Sequence, residues 1–204
     1  MRIRRTSQRL AVAALVALAV TALPSCGGGS DGGSGGTNTT ATFTPDNPTP
    51  GTNTIAMLAG GSTGAAFNVR ITVTGVNDML GAAFRVTYDP IALQFAGMDD
   101  TTSLLRQGGV PNDHLTFVEN HTAVPGEIII TAARLDPVAS GTVDVGPTAD
   151  LLVLNFSARR AIAAGDAGGL LGFNATPQLT VCGTPTTCAA AGGLTWSGGA
   201  VTAH

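Results

Sequence analysis

The chain has 204 residues, of which 28 are glycine and 11 are proline, and it contains 10 basic residues, all arginine, and 13 acidic residues. Four of the arginines lie in the first nine residues, so that six remain against 13 acids in the rest of the chain, a net charge of −7. Such a surface repels polyanions, which excludes nucleic-acid binding because that binding rests on phosphate neutralisation.

The N-terminal segment has the pattern of an export signal. Residues 2–9 carry the four arginines, and residues 10–22 form an uncharged apolar run. About 20 apolar residues are needed to cross a bilayer as a helix, so this shorter run predicts a signal peptide over residues 1–25. Its end, Leu23-Pro24-Ser25-Cys26, resembles a bacterial lipobox, which implies cleavage before Cys26 and lipidation of that cysteine. An ordinary signal peptide, cleaved nearby and followed by a chance cysteine, is the alternative.

Residues 26–50 predict a flexible linker. They are mostly glycine, serine, threonine, asparagine and proline, with almost no large apolar side chain, so they are not expected to bury a core. Gly27, rather than an aspartate, follows the cysteine, which resembles an outer-membrane sorting signal for a cell with two membranes. We therefore expect an exported protein that is lipid-anchored at the outer membrane or the cell surface, with the membrane as one partner.

Residues 51–204 predict one all-β domain. Short apolar runs, several of them with the two-residue period of a strand with one buried face, recur through it. They lie at residues 54–59, 67–73, 80–95, 115–117, 128–133, 152–156, 170–173, 179–181 and 194–201. Glycine or proline separates nearly all of them, and no long amphipathic helix is predicted. The pattern predicts eight to ten short strands in two packed antiparallel sheets.

The segment from Leu80 to Phe95 organises this prediction. Apolar side chains alternate with polar or small ones as far as Tyr88, and Asp89-Pro90 then forces a turn. The pattern predicts a strand, a corner and a second strand, with Arg85 and Thr87 on the solvent side of the first strand. The apolar residues that resume the period after the corner are Ile91, Leu93 and Phe95.

Two cysteines near the C-terminus predict a disulfide. Cys182 and Cys188 bracket five residues, and export implies an oxidising compartment, in which they would close the tip of a hairpin. A metal site is the alternative. No further cysteine or nearby histidine completes a tetrahedral ligand set, so a metal is not expected at these cysteines.

Catalytic and metal-binding arrangements fit the sequence poorly. Ser62 has glycines at the spacing of a nucleophile elbow, but a strand rather than a helix is predicted after it. His114 and His121 flank a predicted strand, roughly 23 Å apart and on opposite faces, so we do not expect them to share a site. Turn chemistry explains Asn77-Asp78 and Asp99-Asp100 more simply than calcium binding does. The sequence therefore predicts no enzyme.

Carbohydrate binding is the competing function. Sugar-binding faces expose several tryptophan or tyrosine rings, and this chain has one of each. Tyr88 is in register with the inward residues of its strand, which leaves Trp196 as the candidate sugar contact. A core position for Trp196 in a C-terminal hairpin is the other interpretation.

The corner Phe84-x-Val86-x-Tyr88-Asp89-Pro90-x-x-Leu93 resembles the most recognisable segment of cohesin modules, the protein-docking domains of cellulosome scaffolds. A strand that ends in Gly75-Val76, strands near residues 128–135 and 152–158, and a terminal Trp196-Ser-Gly-Gly-x-Val hairpin extend the resemblance over most of residues 54–204. It implies a two-sheet antiparallel jelly-roll sandwich of about nine strands, no cofactor, and one sheet face that docks a small helical dockerin.

The resemblance also has departures that bear on the partner. Well-studied cohesins of the first type carry Asn and Asp just before the Phe of the corner strand, where this chain has Gly81 and Ala83, and a contact Glu where it has Leu135. Arg85 and Thr87 then become the candidate binding face. The sequence predicts a non-catalytic, lipid-anchored module for protein docking or adhesion at the cell envelope. The alternative is a module that binds a polysaccharide and is linked to polysaccharide breakdown.

Overall fold

Two sheets, one large and one small, pack face to face around a single core in this protein. A computed structural model describes residues 39–174, 176–184 and 187–204, and the predicted signal peptide, Cys26 and the linker up to residue 38 lie outside the described residues. The strands are β1 (Ala41–Pro45), β2 (Thr54–Thr63), β3 (Ala66–Thr74), β4 (Val76–Thr87), β5 (Leu93–Asp99), β6 (Leu115–Asn120), β7 (Glu127–Arg134), β8 (Val143–Val145), β9 (Ala149–Ala158), β10 (Leu170–Phe173), β11 (Gln178–Thr184), β12 (Thr187–Ala190), β13 (Thr195–Ser197) and β14 (Gly199–Ala203).

Within the residues that the structure describes, helical structure is confined to short connections. A four-residue helix, α1 (Pro137–Ser140), follows β7, and three single-turn 3-10 helices lie at Leu104–Arg106, Asn112–His114 and Ala167–Gly169. In the part of the chain that the structure describes, none of these helices is long and apolar enough to span a membrane.

β4 is the central strand of the large sheet. One edge of β4 pairs with β8 and then β7, and the other edge pairs with β11 and then β10. β6 extends the sheet beyond β7, β12 extends it beyond β11, and β14 and β1 extend it beyond β10. The small sheet has the order β13, β2, β3, β9, β5, and its β13–β2 pair is parallel, whereas the other strand pairs are antiparallel. The predicted two-sheet sandwich is confirmed, with more strands than predicted because short ones such as β8 and β12 were not anticipated.

The Asp89-Pro90 corner carries the chain from the large sheet to the small one. β4 ends at Thr87 in the large sheet, and β5 begins at Leu93 in the small sheet. The Asp89 carboxylate fixes the turn by accepting the backbone N–H of Ile91 at 2.8 Å. Ile91 is 76% exposed, so its predicted inward position is wrong, because it lies in the turn and the strand resumes only at Leu93.

Aromatic rings from both strands of the corner meet in the core. Phe156 of β9 stacks on Phe67 with the ring centroids 5.6 Å apart, and Tyr88 and Phe95 approach it edge to face at 5.6 and 5.4 Å. Burial raises the pKa of the Tyr88 phenol. The inward position predicted for Tyr88 is therefore confirmed, and its ring is a core contact.

β1 corrects the predicted domain boundary. Residues 41–45 pair with β14 from Ala41 opposite Ala203 to Pro45 opposite Gly199, and the Phe43 side chain is buried. The predicted linker over residues 26–50 and the predicted domain start at residue 51 are therefore wrong for this segment. One phenylalanine among threonines and prolines makes no apolar run, and the strand that pairs with it lies at the other end of the sequence.

The C-terminal segment also differs from its prediction. β13 pairs with β2 in the small sheet, whereas β14 pairs with β1 and β10 in the large sheet, so residues 194–201 cross between the sheets and form no hairpin. Gly198 sits at the crossing, where a Cβ atom would lie 2.3 Å from the carbonyl oxygen of Leu171. The close approach of the two chains requires glycine there.

Arg134, the last residue of β7, ties two neighbouring connections to the sheet. Its buried guanidinium donates to the carbonyl oxygens of Leu105 and Gln107, which precede β6. It also donates to those of Ser140, the last residue of α1, and Thr142. Burial lowers the pKa of this guanidinium. Within the described residues it has no carboxylate partner, so carbonyl dipoles alone compensate its charge.

β11 and β12 form a hairpin closed by a disulfide between Cys182 and Cys188. Cys182 is buried, whereas all four residues of β12 are exposed. β12 pairs with β11 at the edge of the large sheet, so the disulfide is a covalent second link for a strand that buries little surface.

We expect replacement of both cysteines, Cys182→Ser with Cys188→Ser, to lower the free energy of unfolding by about 2 kcal/mol, because the unfolded chain then regains the entropy of the open loop. Urea denaturation measures the change. The wild-type protein under reducing conditions is the control and should unfold at the same urea concentration as the double variant. An unchanged midpoint for both would contradict a stabilising disulfide.

Candidate functional site

The outward side of the large sheet along β4 is the candidate site, and we call it the β4 face. Inward and outward residues alternate along β4, since Ala82, Phe84 and Val86 are buried whereas Ala83 and Arg85 are exposed. The face consists of Gly81, Ala83, Arg85 and Thr87 of β4, their outward neighbours Ile129, Thr131 and Ala133 of β7, and Gln178 and Thr180 of β11.

The centre of the β4 face is shallow because its side chains are small. Ala83 lies between Thr131 on one side and Gln178 on the other, and Gly81 lies between Ala133 and Thr180. Two depressions of about 280 and about 120 Å³ share Ala83, Thr131 and Gln178 as lining residues. As far as the structure describes it, the face therefore offers a broad, low surface with no deep cavity for a small molecule.

Gly81 keeps β4 and β7 close together at this centre. A Cβ atom on Gly81 would lie 2.5 Å from the Cβ of Ala133 and 2.6 Å from the carbonyl oxygen of Ala132. The register between β4 and β11 also shifts between Thr180 and Val181, beside Gly81. Irregular pairing of this kind is frequent next to binding sites, where it redirects side chains.

A polar cluster closes one end of the β4 face. The Arg85 guanidinium donates to Glu127 Oε1 at 3.2 Å, and the Asn174 side chain donates to the same oxygen at 3.0 Å. The Arg85 side chain is 51% exposed, whereas that of Glu127 is 10% exposed. Thr87, the other predicted binding residue, is half-buried, and its hydroxyl donates to the carbonyl oxygen of Gly172. Arg85 is therefore the available charge in the cluster.

The Asn174 amide and the Arg85 guanidinium hold the pKa of Glu127 below its ordinary value of 4.5. A depressed carboxyl pKa stabilises the fold above the unfolded-state value, and that contribution is lost as the pH falls through the folded-state value. We expect the melting temperature of the wild-type protein to fall more steeply below about pH 4.5 than that of Glu127→Gln, which does not titrate. Thermal melts at a series of acidic pH values test this, and parallel curves for the two proteins would contradict it.

The aromatic residues do not form a flat platform. Trp196 is half-buried, and its ring packs against Phe173 at 5.0 Å with the planes 73° apart and against Phe84 at 5.9 Å. Phe84 faces the core, so this ring cluster packs against the inner side of the large sheet. A sugar ring stacks on an exposed aromatic face, which this edge-to-face arrangement does not present.

The residues considered for catalysis are dispersed. His114 ends a 3-10 turn before β6, and His121 follows β6, where its ring contacts the Glu119 carboxylate and the edge of Phe95. Ser62 lies in the hairpin that joins β2 to β3, so a strand and not a helix follows it. Over residues 39–174, 176–184 and 187–204, no three histidine, cysteine or acidic side chains converge on a common point that could hold a metal ion.

Sequence reasoning missed Glu127, Asn174 and the β7 side of the face. The signal was partly present, since Ile128 and Ile130 are buried and Ile129 between them must point outward. Three consecutive isoleucines at residues 128–130 hide that alternation. Nothing local indicates that β7 pairs with β4, because Arg85, the side-chain partner of Glu127, lies 42 positions before it.

The family model described as the cohesin domain matches residues 51–180 of this chain, which run from just before β2 into β11. No curated protein sequence matches the chain.

Two solved structures share its architecture. A type II cohesin domain from the cellulosome of Acetivibrio cellulolyticus is 13% identical, with a TM-score of 0.51, and the match covers 80% of this chain and 94% of that chain. A type II cohesin dyad from the adaptor ScaA scaffoldin of the same organism is 15% identical, with a TM-score of 0.55, and the match covers 74% of this chain and 48% of that chain. At these identities the comparison shows a shared fold.

Proposed function

We propose, because the chain belongs to the cohesin family, that it is a non-catalytic module which docks a protein partner through the β4 face. The observation that carries the proposal is the run of small, uncharged side chains at Gly81, Ala83, Thr131 and Ala133 across two paired strands. Burying an unpaired charge in an interface costs desolvation energy, whereas small uncharged side chains allow the backbone of another protein to approach the sheet closely.

The resemblance to cohesins implies a small helical partner of the dockerin type. The shape of the β4 face is compatible with this, because a helix can lie along a flat strand surface and fill its shallow depressions with side chains. Gly81 and Ala83 supply no side-chain hydrogen bonds, so the affinity has to come mainly from packing at the centre and from polar groups at the ends.

Polysaccharide binding receives less support. The one tryptophan packs edge to face against Phe173, and the β4 face has no aromatic side chain on its outward positions in the described strands. Stacking on sugar rings, which such binding ordinarily uses, therefore has no platform there.

Lipid anchoring and export complete the proposal, on the support of the basic and apolar N-terminal pattern and Cys26. When cells that make the chain are fed radiolabelled lipid precursor, we expect the wild-type protein to be labelled and to sediment with the envelope. Cys26→Ser should be unlabelled. Equal labelling of Cys26→Ser would contradict lipidation at this cysteine.

The test of the docking function is capture from a solubilised envelope of the source cell, with the full chain as bait. One portion of the extract is treated with protease beforehand and another with periodate, which destroys sugars. We expect a protein to be recovered, to be lost after protease treatment and to be retained after periodate treatment. Recovery of glycan without protein would overturn the proposal in favour of polysaccharide binding.

A further inference from the structure

We propose that the occupant of the β4 face is a helix with opposite charges at its two ends, which places a carboxylate over Arg85 and a cation over Asp78 and Asp144. The inference rests on the proposed docking function and adds the charge pattern and the length of the partner. Both follow from how the charged groups are arranged along β4.

The Arg85 end of the face presents an exposed guanidinium that is paired with Glu127 through one nitrogen only. One oxygen of Glu127 accepts hydrogen bonds from both Arg85 and Asn174, and the side chain is nearly buried. Little of the carboxylate is therefore accessible to a partner. Arg85 uses one guanidinium nitrogen for that contact, and its other nitrogens make no hydrogen bond within the described residues. The half-exposed guanidinium can still receive a carboxylate in a bidentate contact.

The opposite end of the face is acidic. In β8 the side chains of Val143 and Val145 are buried and Asp144 is exposed, so Asp144 projects from the outward side of the large sheet. The backbone N–H of Asp78 donates to the Asp144 carboxylate at 2.9 Å, which keeps the two acids together. Neither has a cationic partner in the part of the chain that is described. Both carboxylates are exposed.

The distance between the two ends fits a helix. Asp78 and Arg85 are seven residues apart in β4, which is roughly 23 Å in a fully extended strand. The positive φ of Asp78 and the register shifts of β4 against β8 and β11 interrupt the regular alternation and shorten this distance. A helix rises about 1.5 Å per residue, so at most about 15 residues cover it. The positions between the ends, Gly81 and Ala83 among them, carry no charge, so a partner helix can keep its middle small or apolar.

This pattern excludes a uniformly basic partner, which the net charge of −7 outside the N-terminal segment would otherwise favour. A cation above Arg85 is repelled, and a carboxylate above Asp144 is repelled likewise. The two ends therefore select one orientation of the helix on the sheet, as well as a class of partner.

The test is selection from a phage-displayed three-helix-bundle library with one outward helix face randomised, against the full immobilised chain. Clones are kept if they fail to bind the Ala83→Arg variant, which blocks the centre of the face. We expect the retained clones to carry Asp or Glu at one end of the helix and Lys or Arg at the other. We also expect them to lose at least tenfold in affinity on Arg85→Gln and more on Arg85→Glu.

Selection on the Arg85→Glu variant is the matched reversal, and it should enrich clones whose acidic end has become basic. Because a second acid beside Glu127 can destabilise the sheet, Arg85→Gln serves as the variant of unchanged fold, checked by its melting temperature. Clones that depend on Ala83 but carry neutral or uniformly basic helices would overturn the charge pattern and leave the docking function standing. Absence of any clone that depends on Ala83 would overturn both.

Discussion

Replacing Ala83 with arginine is expected to weaken partner binding at least 100-fold without lowering the melting temperature. Ala83 is exposed at the centre of the β4 face, between Thr131 and Gln178, so the longer side chain points into solvent and disturbs no core contact. In the complex it would hold the partner away from the shallow floor or bury an unpaired charge, and a loss of about 3 kcal/mol corresponds to roughly 100-fold in affinity.

The matched control for this substitution is Ala96→Arg. Ala96 is also exposed on a strand, but that strand is β5 at the edge of the small sheet, away from the β4 face. Isothermal titration of the captured partner against the three proteins separates the outcomes. Equal affinities for wild-type and Ala83→Arg would place the binding surface elsewhere, and an equal loss in both variants would indicate a general effect of added charge.

Replacing Arg134 with methionine is expected to lower the free energy of unfolding by about 3 to 4 kcal/mol. Methionine has a similar length but donates nothing, so the carbonyl oxygens of Leu105, Gln107 and Ser140 lose their partner in a buried setting. For a domain of this size the loss corresponds to a fall of roughly 10 °C in melting temperature. Differential scanning calorimetry measures it.

Arg70→Met provides the matched control for that change. Arg70 pairs with Asp150 at 2.6 Å, but its side chain is 39% exposed, and exposed ion pairs contribute about 0 to 1 kcal/mol. We expect Arg134→Met to be far more damaging than Arg70→Met, although both remove one guanidinium. Similar melting temperatures for the two variants would show that the buried hydrogen bonds of Arg134 contribute little.

The central corner was predictable from the sequence because its information is local. The alternation up to Tyr88 reports which side of β4 is buried, and Asp89-Pro90 reports where the strand must end. Both predictions agree with the structure, in which the chain also passes from the large sheet to the small sheet at this corner. Ile91 was misassigned because the two-residue period was carried through a turn in which the backbone is not extended.

The strands at the two ends of the domain were not predictable in the same way. β1 buries Phe43 against a partner, β14, that lies more than 150 residues further along the chain, and a five-residue strand gives too weak a pattern by itself. The same limit applies to the division of residues 194–201 between two sheets, which depends on how closely Gly198 approaches Leu171. Such non-local contacts leave little trace in local periodicity.

Only the β4 residues of the candidate site were predictable from the sequence. Arg85 and Thr87 followed from the outward positions of β4, whereas Glu127 and Asn174 come to Arg85 through pairings with β7 and β10 that no local pattern records. The cohesin resemblance supplied the type of surface. The departures from cohesins at Gly81 and Ala83 indicated that the centre of this surface offers no side-chain hydrogen bonds.

The most direct test of the account is a methyl NMR titration of the full chain with the protein that capture recovers. The β4 face carries methyl groups on Ala83, Ile129, Thr131 and Ala133, and the outward side of the small sheet carries others on Ala66 and Val153. The account predicts that the first group shifts on binding and the second does not. Shifts confined to Ala66 and Val153, with the β4 face unchanged, would contradict it.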